Sequence, residues 1–164
     1  MTLEEATYLE SGNPRVPKAT VGFRHCVELQ TRFSDIDALG HVNNNVYFAF
    51  MDLGKIEYFR AISDGRMSIR DIRSVVVHVS ADFYEPSFLD DQLAVYTTIP
   101  KVGDRSFTIE QRIVDRRTGA TKCIGTTILA GFDPATQQGA QLDPAMVAAA
   151  SAYERRDLLG AVWE

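Results

Sequence analysis

The chain has 164 residues, of which 45% are hydrophobic and 24% are charged. This length and balance predict one globular domain with a substantial core. A net charge of −5 and a pI near 5.2 argue against the broad basic surface of a general nucleic-acid binder. The N-terminus lacks the features of a signal peptide, and no window reaches the ~18 apolar residues of a membrane helix. We therefore expect a cytoplasmic protein that neither inserts into membranes nor binds nucleic acid.

Cys26 and Cys123 are the only cysteines, and their spacing matches no zinc or redox motif. Both lie in segments with strand character. For a cytosolic protein, two buried thiols are the favoured interpretation over a disulfide.

The N-terminal third of the chain predicts a leader, a strand and a long helix. Residues 1–20 are polar, contain two prolines and show no period, which predicts a loose leader. Val27, Leu29, Thr31 and Phe33 then alternate with polar residues, the pattern of a half-buried first strand. Residues 45–62 lack proline and open with an Asn that can cap a helix. This helix is apolar on most of its circumference, so it must be covered on several sides.

Four strand patterns follow the long helix, over residues 75–83, 93–99, 107–113 and 124–132. In the first of them, Val75, Val77, Val79, Ala81 and Phe83 are expected to share one face. The short turns between successive strands predict antiparallel pairing. Asp143 and Pro144 then form an N-cap and first turn, which predicts a helix to about Asp157.

An antiparallel sheet and one long apolar helix bury most surface if the sheet curls around the helix, so we expect an α+β fold of this kind. The predicted domain covers residues 21–134, between the leader and a C-terminal extension with a helix at 135–164. A curled sheet leaves edge strands that invite pairing with another copy. A homodimer or homotetramer is therefore expected.

Residues 31–47 carry the strongest functional signal. Between the first strand and the long helix, this segment contains Asp35, Asp37, Gly40, His41, Asn43, Asn44 and Asn45. A strand-to-helix turn can hold a carboxylate near the unpaired backbone N–H groups of the helix start, where negative charge is stabilised. That pairing suits hydrolysis of an activated carbonyl. Asp and Asn are also ordinary turn and cap residues, so a purely structural interpretation stands beside it.

The segment contains the motif Phe-Ser-Asp-Ile-Asp-Ala-Leu-Gly-His-Val-Asn-Asn at residues 33–44. It resembles the motif of the hotdog-fold acyl-CoA thioesterases of the 4-hydroxybenzoyl-CoA thioesterase family, and the order of elements agrees from about residue 24 to 132. The resemblance implies a hotdog fold, in which an antiparallel sheet wraps around a central helix. It also implies hydrolysis of an acyl-CoA thioester to a free acid and CoA, without a metal or organic cofactor.

The resemblance implies that Asp37 is the catalytic carboxylate, acting as a nucleophile or as a general base. It also implies that the backbone N–H of Asn44 is the oxyanion donor. Gly40 would let the chain bend closely around the acyl group. His41 either orients substrate or water, or is a turn histidine bonded to backbone.

The other polar residues of the motif are assigned mainly to support. Asp35 either makes structural hydrogen bonds or supports the site. Asn43 and Asn45 are expected to satisfy backbone groups at the helix start.

Glu57 is the rival to Asp37. It follows apolar residues at helical spacings, so it can point into the covered side of the helix and become a usable base. Related hotdog thioesterases do use a helix glutamate. The alternative is that Glu57 pairs with an arginine on a neighbouring strand.

Coenzyme A carries phosphates, so a basic and hydroxyl-bearing rim is expected near the acyl site. Arg105 and Ser106 match the positions at which family members contact the nucleotide. A hairpin turn with a solvated arginine is the alternative. His78 is a weaker candidate for lining the pocket.

The leading function is hydrolysis of a CoA or acyl carrier protein thioester. The alternative is a domain that binds acyl thioesters without turnover. Hydration of enoyl thioesters is a distant third, because its usual motif is not found.

Overall fold

The structure is a computed structural model that describes residues 1–159, so residues 160–164 of the predicted extension lie outside it. Its elements are β1 (Thr2–Thr7), β2 (Phe23–Glu28), α1 (Asn44–Ile62), β3 (Ser74–Phe83), β4 (Leu93–Val102), β5 (Ser106–Asp115), β6 (Thr121–Asp133), β7 (Gln138–Gly139) and α2 (Pro144–Glu154). No described helix is long and apolar enough to span a membrane.

All strands belong to one antiparallel sheet in the order β1-β2-β4-β5-β6-β3, with β7 paired to β6. The long helix α1 contacts β2, β4 and β5 and fills the concave side of the sheet. The C-terminal helix α2 contacts α1 and β4. This arrangement confirms the predicted α+β hotdog fold with an additional C-terminal helix.

Two glycines let α1 approach the sheet closely. A side chain at Gly54 would meet the Gln111 amide at 2.7 Å, and one at Gly125 would overlap the Met51 sulfur. The Gln111 amide donates to the Met51 carbonyl at 2.9 Å, which joins the helix backbone to β5. The middle of α1 therefore packs directly against the sheet.

The predicted loose leader is wrong for β1. Thr2–Thr7 forms a strand against β2, and the Met1 ammonium donates to the Cys26 carbonyl at 3.0 Å. Residues 8–22 are irregular, yet Arg112 on β5 donates to the Pro17 carbonyl at 2.8 Å. β1 forms because it pairs with β2, although its own sequence does not show the alternation of a strand.

The predicted first strand is also displaced. It ends at Glu28 instead of Phe33, because the Asp35 carboxylate accepts from the Arg32 N–H at 2.8 Å and folds residues 33–35 into a 3₁₀ turn. The alternation of apolar and polar residues continues to Phe33, although the pairing of β2 with β4 ends at Glu28.

A β-bulge changes the predicted faces of β3. Val76 pairs with Leu129, but His78 pairs with the next residue, Ile128, so one residue of β3 is extra. Val75 and Phe83 therefore lie on opposite faces of the sheet. His78 is exposed and lines none of the described cavities.

The C-terminal helix starts where the sequence predicts. Asp143 caps it by accepting from the Ala145 N–H at 2.9 Å, and it ends at Glu154 because Arg155 adopts a left-handed φ of 54°. The two cysteines are free and buried, as predicted. Burial raises the pKa of the Cys123 thiol to about 12, so this thiol stays protonated.

Candidate active site

The motif loop, residues 33–44, folds around the buried carboxylate of Asp35. This carboxylate accepts from the backbone N–H of Arg32 at 2.8 Å and from its guanidinium at 3.1 Å. Burial alone would raise the pKa of Asp35, but the hydrogen bonds and charge of Arg32 lower it overall. The Asp35 carbonyl also accepts from the Asn43 N–H at 2.9 Å. Asp35 therefore has a structural role.

Asp37 begins a tight turn that returns the chain toward the helix. Its N–H donates to the His41 carbonyl, and its carbonyl accepts from the Gly40 N–H, both at 3.0 Å. Gly40 has a φ of +79°, which favours glycine, and a side chain there would meet nothing within 4 Å. Gly40 is thus needed for backbone conformation and not for close approach to a neighbour.

The Asp37 carboxylate is half-buried and accepts two neutral hydrogen bonds. Leu39 N–H donates to one oxygen at 2.9 Å, and the Asn43 amide donates to the other at 3.2 Å. Among the described residues, no cation lies within ion-pair distance of Asp37. A carboxylate oxygen has more than one lone pair, so this group is oriented and still able to attack or to accept a proton.

The start of α1 lies beside this carboxylate. The Asn43 side chain caps the helix by accepting from the Asn45 N–H at 3.0 Å, so Asn43 and not Asn45 is the cap. Asn44 is the first helical residue, and its N–H has no acceptor among the described residues. The first turn of a helix is where unpaired N–H groups stabilise negative charge.

Asp37 and Asn44 line one cavity of about 270 Å³. Its remaining lining residues are Leu39, His41, Val42, Tyr47, Phe83, Tyr84, Glu85 and Pro86. The wall formed by residues 83–86 was not predicted as part of the site. Its sequence signal, a strand ending in Glu-Pro, is that of an ordinary strand terminus.

The loop after β3 is fastened to the motif loop and to α1. Val42 N–H donates to the Ser87 carbonyl at 2.9 Å, and the Tyr47 hydroxyl donates to the Ser87 hydroxyl at 2.8 Å. Burial raises the pKa of Tyr47, which keeps its hydroxyl protonated as a donor. The His41 ring packs edge-on against Phe88 with centroids 5.2 Å apart. His41 therefore lines the cavity and packs against the loop that follows the wall formed by residues 83–86.

Glu57 does not join this site. It lies thirteen residues after Asn44 on α1, which is about 20 Å along the helix. Its side chain is 35% exposed and pairs with Arg60 on the same helix at 2.5 Å. The predicted burial of Glu57 in the covered side of the helix is wrong, and its arginine partner comes from its own helix.

Arg105 and Ser106 are also distant from Asp37 within one chain. Phe83 in the cavity wall pairs with Cys123, which pairs with Ile113. Seven residues of β5, about 23 Å of strand, separate Ile113 from Ser106. Arg105 is exposed in the β4–β5 hairpin. One chain alone does not bring these two residues to the cavity.

Across the described part of the chain, no cluster of three or more His, Cys, Asp or Glu side chains is placed to hold a metal ion. The lining residues of the cavity supply carboxylate, imidazole and backbone N–H groups. That set can activate water or attack a carbonyl, and can stabilise an oxyanion.

Solved structures with this fold include several thioesterases. A thioesterase from Thermus thermophilus, solved with coenzyme A and zinc, matches with a TM-score of 0.69 at 28% identity, over 80% of this chain and 94% of its own. A 1,4-dihydroxy-2-naphthoyl-CoA thioesterase from Synechocystis matches with a TM-score of 0.67 at 21% identity, over 76% and 93%. The second likeness shows the fold alone. No curated protein sequence matches the chain.

The family profile described as the Thioesterase-like superfamily matches residues 31–150. The match starts with the motif loop and runs through the sheet into α2. It confirms the resemblance found in the sequence and the prediction of a thioesterase. Since it covers most of the 164 residues, the chain belongs to the Thioesterase-like superfamily.

Proposed function

We propose that this protein hydrolyses acyl-CoA thioesters, with Asp37 as the catalytic carboxylate and the Asn44 N–H as the oxyanion donor. The observation that carries the proposal is that both groups line one cavity at the start of α1. The thioester carbonyl would lie between them. Negative charge that develops on its oxygen would then meet an N–H that has no other acceptor among the described residues.

Two routes use this geometry. In the first, an Asp37 oxygen attacks the carbonyl carbon, CoA leaves as a thiolate, and water hydrolyses the resulting anhydride. In the second, Asp37 removes a proton from water, which attacks the carbonyl directly. A single turnover in ¹⁸O-labelled water tests the first route, because label enters the Asp37 carboxylate only when water attacks the Asp37 carbonyl of the anhydride.

The principal test is thiol release from a panel of aromatic, short-chain and long-chain acyl-CoA esters. We expect release from at least one ester, and a fall in kcat/KM of on the order of a hundredfold or more in Asp37→Asn. Glu57→Gln is the matched control, since it also neutralises one carboxylate but lies outside the cavity. Activity that survives Asp37→Asn and disappears in Glu57→Gln would reverse the assignment. Tight binding without turnover by the unmodified protein would favour an acyl-thioester binding protein.

We further propose that two copies pair through β3 and that Arg105 contacts the phosphates of CoA bound mainly by the partner chain. β3 ends the sheet order, and Val75, Val76, Val77 and Val79 on it are each at least 40% exposed. Ser106 pairs with Ala130, which pairs with Val75. If two β3 strands pair in antiparallel fashion, the row formed by Ser106, Ala130 and Val75 would lie beside the Phe83 end of the partner's β3. Each cavity then receives the β4–β5 hairpin from the opposite chain.

This assembly predicts a particle of twice the 18.3 kDa chain mass in sedimentation equilibrium. Val79→Lys, which adds a charge to the exposed strand, should yield monomers. Arg105→Ala should raise KM for a CoA ester severalfold while leaving KM for the matching pantetheine ester unchanged, because only the former carries the nucleotide phosphates. Equal effects on both esters would contradict a phosphate contact. A monomeric unmodified protein with full activity would overturn the shared site.

A further inference from the structure

The cavity that contains Asp37 has a second carboxylate, that of Glu85. No lysine or arginine is among the described residues that line it. Glu85 is the second residue after β3, and its backbone N–H approaches the Lys122 carbonyl on β6 at 3.5 Å. Glu85 is one of the residues that line the cavity, and its side chain is 37% exposed.

The cations behind Glu85 leave its charge partly uncompensated. Lys122 is almost fully buried and donates to the Pro86 carbonyl at 3.1 Å. It lies 3.7 Å from Glu85 and 3.6 Å from Asp91. Arg117 is similarly shared between Asp91 at 3.8 Å and Asp115 at 4.0 Å. Three carboxylates thus face two cations, and one negative charge remains on the cluster.

Both cavity carboxylates lie close to anything bound at the Asn44 N–H. A sphere of about 270 Å³ is roughly 8 Å across. Asp37 receives only neutral donors, so its charge is not cancelled either. The exposed Arg15 guanidinium donates to the Tyr84 carbonyl at 3.2 Å, but it neither lines the cavity nor pairs with Glu85. An acyl group that carries its own carboxylate would therefore enter a cavity with two negative charges and no lining cation among the described residues.

We propose that Glu85 is a specificity-determining residue, which makes the site select neutral acyl groups over acyl groups that bear a carboxylate. The inference rests on the proposed function, because it assumes that the thioester binds in this cavity. Glu85 touches substrate in this proposal but takes no part in bond making or breaking. Two like charges roughly 8 Å apart in a partly screened cavity correspond to a discrimination of roughly tenfold.

The experiment compares butyryl-CoA with succinyl-CoA, which share a four-carbon acyl chain and differ by a terminal carboxylate. Because both carry the same CoA, the ratio of their kcat/KM values isolates the charge of the acyl group. We expect the unmodified protein to favour butyryl-CoA roughly tenfold, and Glu85→Gln to reduce this preference severalfold. Asp90→Asn is the matched control. Asp90 is an exposed carboxylate five residues later, outside β3, that does not line the cavity, so its removal should leave the ratio unchanged.

An unchanged ratio in Glu85→Gln would overturn the inference. An equal change in Asp90→Asn would overturn it as well, because the preference would then arise from the net charge of the whole protein. Thermal unfolding of both variants checks that the loop wall remains folded. If neither ester releases thiol, dissociation constants for the same two esters give the ratio instead. Absent thiol release across the acyl-CoA panel overturns the proposed function alone, while the ratio of dissociation constants still decides the inference about Glu85.

Discussion

Two regions along α1 contain the same side-chain types and differ in their access to solvent. At the start of the helix, Asp37 and His41 are half-buried around the cavity. Near its end, Glu154 and His25 gather around Tyr58 with exposures of 4%, 0% and 0%. A carboxylate and an imidazole therefore form a candidate site in one region and part of the core in the other.

The two regions also differ in how far along the chain each carboxylate finds its hydrogen-bond donors. Asp37 accepts from residues two and six positions away. Glu154 accepts from the Tyr58 hydroxyl at 2.7 Å, across 96 residues of chain. Burial, and then the negative charge of Glu154, raise the pKa of Tyr58, so its hydroxyl remains a donor. Long-range bonds of this kind fasten α2 to α1, whereas local bonds orient Asp37 and leave it accessible.

The largest stability effect is expected from His25. Burial, and then the nearby Met1 ammonium, lower the pKa of His25 from 6.5 to about 4. Between these values the unfolded chain binds a proton that the folded chain does not, so the free energy of unfolding falls as the pH drops. The full loss is about 3 kcal/mol by pH 4, and none of it occurs above pH 7. Urea unfolding at half-unit steps from pH 7 to pH 4 measures it.

The comparison between His25→Gln and His78→Gln isolates this effect. Both variants remove one imidazole, but His78 is exposed on β3. His25→Gln should flatten the pH dependence between 6.5 and 4 whatever its absolute stability, and His78→Gln should retain it. The same slope in all three proteins would show that the buried imidazole is not the group that resists protonation.

The motif at residues 33–44 and the order of elements could be predicted because their signals are local. The glycine turn, the helix start and the strand periods depend on neighbours a few residues apart. The Glu85 wall could not be predicted, since its loop meets the motif only through long-range contacts, the Val42–Ser87 hydrogen bond and the packing of His41 against Phe88. Likewise, β1 depends on pairing with β2, and the faces of β3 depend on a bulge. These features arise from contacts between distant segments, which alternation and capping do not encode.

Residue spacing within the motif does not distinguish the roles of Asp35 and Asp37. Both precede the helix, yet the 3₁₀ turn buries Asp35 against Arg32 while Asp37 lines the cavity. Asp35→Asn keeps an acceptor for the Arg32 N–H and loses only the ion pair with a largely exposed guanidinium. At neutral pH we expect it to lower the free energy of unfolding by about 1 kcal/mol and to keep most thiol release.

The pH dependence of stability distinguishes this small effect from that of His25. The pKa of Asp35 is lowered in the folded protein from 3.8, so its contribution is complete above that value and disappears as the pH falls further. Denaturant unfolding below pH 4 should therefore show a shallower slope for Asp35→Asn than for the unmodified protein. At neutral pH, Asp37→Asn should abolish most thiol release and change the free energy of unfolding little, in contrast to Asp35→Asn. If Asp35→Asn instead removed activity from a fully folded protein, the division between a structural and a catalytic aspartate in this loop would be wrong.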